Sequence, residues 1–292
     1  MGDYHLHLHP HLPATRPAPE PGLYPAGHIE GYVAAAAARG VAEIGFTEHL
    51  YRCVEAEDLL GPFWEREERA DLAGQAEAFV RAERNLSLDG YVAAVTAAKD
   101  RGLPVLLGLE VDFFPETIDA VVAALAEYPF DFLIGSVHWI GGWSVDHGDA
   151  VHEFARRGVR RAYDDYFALE TELARSGSVD VLAHADVVKK FGHRPETEPA
   201  DLYAPLVAAA AASGVAVEVS SAGLYAPIGE EYPAPGLLAR FAAAGVPITL
   251  ASDAHHPEDA GRGHDRVTAA ARAAGYTTRL RFARRQAAPV PL

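Results

Sequence analysis

Six short apolar runs, spread from one end of the chain to the other, close at the same relative place on a histidine or a carboxylate. They are Asp3-Tyr4-His5-Leu6-His7, Ile44-Gly45-Phe46-Thr47-Glu48-His49, Leu107-Gly108-Leu109-Glu110-Val111-Asp112, Ile134-Gly135-Ser136-Val137-His138, Val181-Leu182-Ala183-His184-Ala185-Asp186 and Leu250-Ala251-Ser252-Asp253-Ala254-His255. Each reads as a strand. Strand side chains alternate with period two, so His5 and His7 present both rings on one face. Imidazole and carboxylate are the groups from which Zn, Mn and Fe are bound in proteins. A lone histidine at a strand end is usually structural, but six such ends at corresponding places point to one polynuclear metal site.

The rest of the chain supplies the frame. Apolar runs alternate with Ala-rich helical stretches, the pattern of βα units around a parallel sheet. The expected strands are seven: residues 3–7, 41–47, 105–111, 132–137, 180–183, 216–220 and 247–251. Helical patterns cover 29–39, 67–84, 91–100, 118–128, 149–175, 204–212 and 258–274. Gly40, Gly102, Gly214, Gly245 and Gly275 each follow a helical stretch, where a left-handed cap ends the helix. Residues 9–27 break the rhythm with Pro10, Pro13, Pro17, Pro19, Pro21 and Pro25, and read as a long loop over the end of the first strand. Residues 51–64, directly after His49, form a second break.

With 292 residues and 49% hydrophobic content, the chain is expected to form one α/β domain over residues 1–292. Cys53 is the single cysteine, which rules out an internal disulfide and favours a reducing, cytoplasmic setting. No stretch is apolar over a length that spans a bilayer, so no membrane partner is expected. The net charge of −16 repels a nucleic-acid backbone and argues against long nucleic acid as a partner. Arg279, Arg281, Arg284 and Arg285 make a small basic cluster near the end, read as solvated or salt-bridged.

In a (β/α) barrel the carboxyl ends of all strands meet on one face, where the six ends would converge. The order D-x-H-x-H, T-E-H, G-x-E-x-D, G-S-V-H, A-H-x-D and S-D-A-H resembles the polymerase and histidinol phosphatase (PHP) family over nearly the whole chain. The runs Gly108 to Phe113 and Gly135 to Trp139, with the tail from Arg281 to Pro291, resemble its histidinol-phosphate phosphatase branch. The resemblance implies a distorted seven-stranded (β/α) barrel, TIM-barrel-like, with a trinuclear centre of divalent transition ions (Mn, Zn or Fe). It assigns His5, His7, Glu110 and Asp253 to one metal, Glu110 with His138 and His184 to a second, and His49 with His255 to a third. It also implies one more histidine from the first loop, usually after a longer gap than this chain has. His11 is favoured over His9, because His9 alternates onto the side of His5 and His7. Glu110, Asp253 and His255 are the expected catalytic groups.

Three divalent ions bring roughly six positive charges, which two carboxylates offset only in part, so the centre attracts anions and a phosphate ester is its natural guest. A small phosphomonoester, most specifically L-histidinol phosphate, is the expected substrate. A phosphodiester, an amide-hydrolysing metal barrel and a non-catalytic metal-binding module are the competing readings. The last two are weakened because Glu110 stands where a carbamylated lysine would be needed, and because the ligand set is complete. Arg160, Lys189, Arg194 and Arg262 are candidates to clamp phosphate oxygens, and Trp139 with Trp143 to wall the leaving group. Asp112 and Asp186, each two residues past a ligand, are candidates to orient ligands. The histidines at 28, 147, 152, 193, 256 and 264 have no positional argument.

Overall fold

The computed structural model describes all 292 residues. Twelve strands form in chain order: β1 (Gly2–Leu6), β2 (Glu43–Phe46), β3 (Val105–Leu107), β4 (Glu110–Asp112), β5 (Ile134–Ser136), β6 (Trp139–Ile140), β7 (Trp143–Ser144), β8 (Val181–Leu182), β9 (Ala216–Ser220), β10 (Ile248–Ala251), β11 (Thr278–Ala283) and β12 (Gln286–Pro291). All seven expected strand regions carry parallel strands, the third divided into β3 and β4. They make a three-stranded parallel sheet, β1-β2-β3, and a five-stranded parallel sheet, β10-β9-β8-β5-β4. Backbone bonds link the two sheets on both sides. Asp253 N–H donates to His5 O and His7 N–H to Ala254 O, both at 2.8 Å, while Gly108 N–H donates to Phe46 O at 2.8 Å and Glu110 N–H to Glu48 O at 3.0 Å. The result is an α/β fold whose strands end on a common side.

Packing follows from the sequence at close range. Phe132 is fully buried against Tyr4 and Phe282, and a Cβ at Gly45 or Gly108 would meet its ring at 2.6 or 2.7 Å. Those two glycines make room for an aromatic that closes the narrow core between the sheets. At burial of about 25 cal/mol per Å² of apolar area, such a side chain contributes on the order of 3 kcal/mol. The expected helix stops hold, Gly40 and Gly214 lying at φ +77° and +78°, where only glycine sits without strain.

Four departures have local causes. The expected helix 149–175 is cut at Gly158 (φ 84°, ψ 136°) into His152–Arg157 and Val159–Ser176. The pattern 258–274 becomes α-helical only at His264, after a short 3-10 turn at Pro257–Asp259, because Gly261 and Gly263 take φ +72° and +71°. Helix Pro235–Ala243, unread in the sequence, starts on a proline at its first turn. The C-terminal arginines belong to an antiparallel hairpin, β11 with β12. Its two-residue turn places Arg284 and Arg285 at φ 49° and 62° without the usual Asn-Gly signal. Two of the C-terminal arginines are paired as expected, Arg281 with Glu43 at 2.6 Å and Arg285 with Asp180 at 2.5 Å, whereas Arg279 is buried against Tyr4 without a carboxylate partner. No helix is long and apolar enough to cross a membrane.

Candidate metal centre

The six strand ends bring their polar side chains to one place. His5 Nε2 and His7 Nε2 stand 3.1 Å apart, and Glu110 Oε2 lies 3.2 Å from the first and 3.4 Å from the second. Asp253 Oδ1 approaches the same pair at 3.6 and 3.3 Å. The other oxygen of Glu110 faces His184 Nε2 at 3.1 Å and His138 Nε2 at 3.5 Å, and those two nitrogens are 3.3 Å apart. His49 Nδ1 is 2.8 Å from Glu110 Oε2, yet outside hydrogen-bond geometry, so neither of its ring nitrogens has a hydrogen-bond partner. The ring of His7 stacks on those of His49 and His255 at 4.2 Å each. All of these side chains are buried except Asp253 and His255, about a fifth exposed at 21% and 23%, which form the open rim.

This donor set fits divalent cations. Four overlapping triads each gather three ligand atoms within 4.8 Å: His7/His49/His255, His5/His7/Glu110, His5/His184/Asp253 and His49/Glu110/His138. Imidazole nitrogens facing one another at 3.1 to 3.3 Å match the roughly 3.3 Å edge of a tetrahedron with ligand bonds of about 2.0 Å. Buried ring nitrogens without hydrogen-bond partners, at His7 Nδ1, His49, His184 Nδ1 and His255 Nε2, are costly unless something binds them. The backbone is strained at two of these residues, since His184 and Asp253 adopt φ 25° and 54°. Non-glycine residues in that region cost about 1 kcal/mol or more.

The loop histidines separate, but not by strand alternation, which put His9 on the side of His5 and His7; the chain leaves the strand at Leu6 and the alternation ends there. His9 turns away, its Nε2 bonded to Leu23 O at 3.1 Å and its ring against Tyr24 and His28. His11 sits beside the cluster, its ring 5.0 Å from that of His49 and 5.2 Å from that of His255. Sequence reasoning missed what holds this loop. Glu83 lies 3.3 Å from His11 Nδ1 and accepts the Leu12 N–H at 2.8 Å. Arg52 donates to the carbonyls of His9 and Pro10, and Glu48 accepts the backbone N–H of Leu8 and His9.

Asp112 meets the orienting expectation, with Oδ1 2.7 Å from His138 Nδ1. Asp186 does not: it accepts from Ala234 N–H and pairs with Lys189 at 2.9 Å. Glu218, a carboxylate in the middle of β9, was unread although its place in an apolar strand is a signal. It lies 2.9 Å from His5 Nδ1 and accepts the His184 N–H at 2.8 Å.

The four expected phosphate clamps are each paired with a carboxylate, Lys189 and Arg194 sharing Glu230. Arg160 is held by Asp164 and Asp201 among exposed helical residues, and buried Lys189 by Asp186 and Glu230. Arg194 pairs with Glu230, and Arg262 with Asp259 while lying over the Tyr225 ring. An unread pair lies nearer. Lys190 contacts Asp146 at 3.2 Å, and the imidazoles of His138 and His184 are close enough to Asp146 to help hold its carboxyl below the usual range despite burial. Trp143 cannot wall a ligand, because it is fully buried against Phe154 with its Nε1–H given to Ala150 O. Trp139 lines a cavity of about 440 Å³ with Leu12, Pro13, Phe79 and His147, so the proline-rich loop walls it on one side.

Charge in the cluster is finely divided. Burial opposes ionisation of Glu110, but His49, His5 and His138 hold its carboxyl well below the usual range. Burial also opposes a charged His138, which Glu110, Asp112 and Asp146 nonetheless keep at about 10. Burial lowers His7 to about 4, helped by His49, and lowers His49 to about 3 against the pull of Glu110. Rings neutral in the fold and charged in the unfolded chain let the unfolded state bind more protons, so stability falls as pH drops from about 6.5. Asp3 and Glu170, raised by burial to about 6 and about 8, act the other way. The lowered histidines, which include His255 and His264, outnumber them. Above neutrality the sign reverses: what raised Glu170 and His138 contribute at low pH is lost by the time pH has risen through about 8 and about 10, respectively. The chelator-stripped protein should therefore show a Tm maximum near neutral pH, falling by at least about 5 °C toward pH 5 and toward pH 9.5. A flat profile by differential scanning calorimetry would refute this balance.

Parallel strands delivering histidines and carboxylates to a single cluster define a hydrolase class that works through bound divalent ions. The chain belongs to the PHP domain family, whose model matches residues 24–222. His5, His7, Asp253 and His255 lie outside that span, so their place in the site rests on the geometry above. Over 178 residues the chain is 34% identical to a Deinococcus radiodurans protein named "Probable histidinol-phosphatase", covering 60% of this chain and 67% of that one. The fold is also similar to histidinol phosphate phosphatase of Lactococcus lactis, solved with Zn, L-histidinol and phosphate (TM-score 0.71, 20% identity, 98% of each chain). A hisK protein of Listeria monocytogenes superposes with a TM-score of 0.70 at 20% identity, over 91% of this chain and 99% of that one.

Proposed function

We propose that this protein is a metal-dependent phosphomonoesterase that hydrolyses L-histidinol phosphate to L-histidinol and inorganic phosphate, a step of histidine biosynthesis. One observation carries the reading: eight of the nine expected donors, all but His11, gather into overlapping triads in a chain 34% identical to a protein named for that activity. The two linked sheets are read as one distorted seven-stranded barrel of residues 1–292, with β3 and β4 as a single broken strand. The supporting bonds are those of His5 and His7 with the segment after β10. A free, buried Cys53 accords with a cytoplasmic setting.

His5, His7, Glu110 and Asp253 would hold one ion, Glu110, His138 and His184 a second, and His49, His255 and His11 a third. When bound, Zn, Mn or Fe supplies acidified water and positive charge for the phosphoryl oxygens. Asp112 keeps His138 Nδ1 occupied, so that Nε2 faces inward. Asp253 is held ionised against burial by His5, His7 and His255, and its rim position lets a carboxylate oxygen take the proton of the attacking water. That proton then goes to the departing alkoxide. The cavity beside Trp139 suits the organic body, within the 300–1,000 Å³ usual for small-molecule sites, and Trp139 Nε1–H has no partner in the protein.

Two outcomes are expected. Protein purified without chelator should carry more than one divalent transition ion per chain by elemental analysis. One ion or none, after reconstitution with Mn, Zn and Fe in turn, would sink the polynuclear reading. In steady-state kinetics, kcat/KM for L-histidinol phosphate should exceed that for p-nitrophenyl phosphate and for its bis-ester by about tenfold or more. If the diester or an unrelated sugar phosphate wins, the substrate assignment falls.

A further inference from the structure

The geometry points to Glu218 as the positioning residue that fixes the His5 tautomer and, through the same carboxylate, the strained backbone of His184. This inference rests on the metal-centre reading. Glu218 is buried at 1% exposure, on β9 between β8 and β10. One oxygen takes the His5 Nδ1–H at 2.9 Å, and the other takes the His184 backbone N–H at 2.8 Å. With a cation in place of the proton that Glu110 and Asp253 otherwise favour there, His5 Nε2 would present its lone pair toward His7, Glu110 and Asp253. His184 is held at φ 25°, a conformation that persists only when surrounding bonds over-determine it. A single side chain thus serves two ligand groups on different strands, and it must accept at both oxygens to do so.

That requirement makes glutamine a poor substitute despite equal size. An amide has one acceptor oxygen and one donor nitrogen. The His184 N–H can only donate, so it claims the oxygen, and the NH₂ is left facing His5 Nδ1. His5 must then accept there and carry its proton on Nε2, where it blocks ligation. Glu218→Gln should therefore weaken binding of at least one zinc ion by about 10- to 100-fold.

The test uses full-length, chelator-stripped protein and Zn²⁺ alone. Zinc affinity is read by equilibrium dialysis against a competing chelator, for wild type, Glu218→Gln and Glu170→Gln. The last removes another buried carboxylate, one that accepts from Tyr166 and touches no ligand. In parallel, ¹⁵N-histidine NMR on the protein reloaded with saturating Zn²⁺ reads the His5 tautomer, the resonance being identified by its loss in His5→Gln. Expected are an Nδ1–H tautomer in wild type, an Nε2–H tautomer with weakened zinc in Glu218→Gln, and wild-type zinc affinity in Glu170→Gln. The inference is overturned if Glu218→Gln binds all its zinc like wild type, if Glu170→Gln is equally weakened, or if wild-type His5 carries its proton on Nε2. Should Glu218→Gln fail to fold, the wild-type tautomer decides alone. A wild type that takes up no zinc overturns the metal-centre reading itself.

Discussion

Glu110→Gln is expected to lose at least one metal ion and nearly all turnover while keeping the native circular dichroism spectrum. The two oxygens of Glu110 lie within 3.5 Å of imidazole nitrogens from His5, His7, His49, His138 and His184, and no other side chain reaches as many. An amide of the same shape keeps the packing but removes the negative charge and one acceptor. A ligand loss of this kind should exceed the roughly 10–100-fold cost typical of changes to groups that merely orient ligands. Elemental analysis and kcat/KM on L-histidinol phosphate measure the two effects together. Near-normal metal content and activity would remove Glu110 from its bridging place.

His11→Ala and His9→Ala should fail in different ways. His11 has Glu83 on Nδ1, which leaves Nε2 on the side of His49 and His255. Its removal should cost a metal ion and more than about 100-fold in turnover, with little change in Tm because the side chain is 40% exposed. His9 is buried at 0% exposure and anchors the loop to Leu23, so its loss should lower stability by on the order of 2 kcal/mol and leave metal content intact. Thermal melts and metal analysis of the pair separate the two. Equal, mild effects would place the remaining donor elsewhere, and the stacking of His7 on His49 and His255 would make His7 the first alternative.

Much of the cluster was legible because ligation demands scarce residue types, and a parallel sheet repeats one address, the strand's carboxyl end. His5, His7, His49, Glu110, His138, His184, Asp253 and His255 could each be read from a few neighbours. Asp112 was legible for the same reason, two residues beyond Glu110. The clamps were not. Arg160, Lys189, Arg194 and Arg262 satisfied charge chemistry equally well on paper, yet each is taken by a carboxylate, which for Arg160, Lys189 and Arg194 includes one near only in space and for Arg262 is three residues away. Lys190, adjacent to Lys189, instead contacts Asp146.

By itself the sequence determined the alternation of strands and helices, the glycine stops and the chemical identity of the donors, because all of these are set by period, by backbone sterics and by side-chain chemistry within a few residues. Only the tertiary structure decided that His9 faces Leu23 while His11 faces the cluster. It alone showed that Trp143 is sealed in the core while Trp139 borders a cavity, and that the C-terminal arginines turn a hairpin. It also decided that Glu218, 213 residues from His5, accepts from its ring. These outcomes depend on which groups from distant segments meet after packing. A buried carboxylate or indole takes whatever partner the fold places within about 3 Å, and no local pattern encodes that distance.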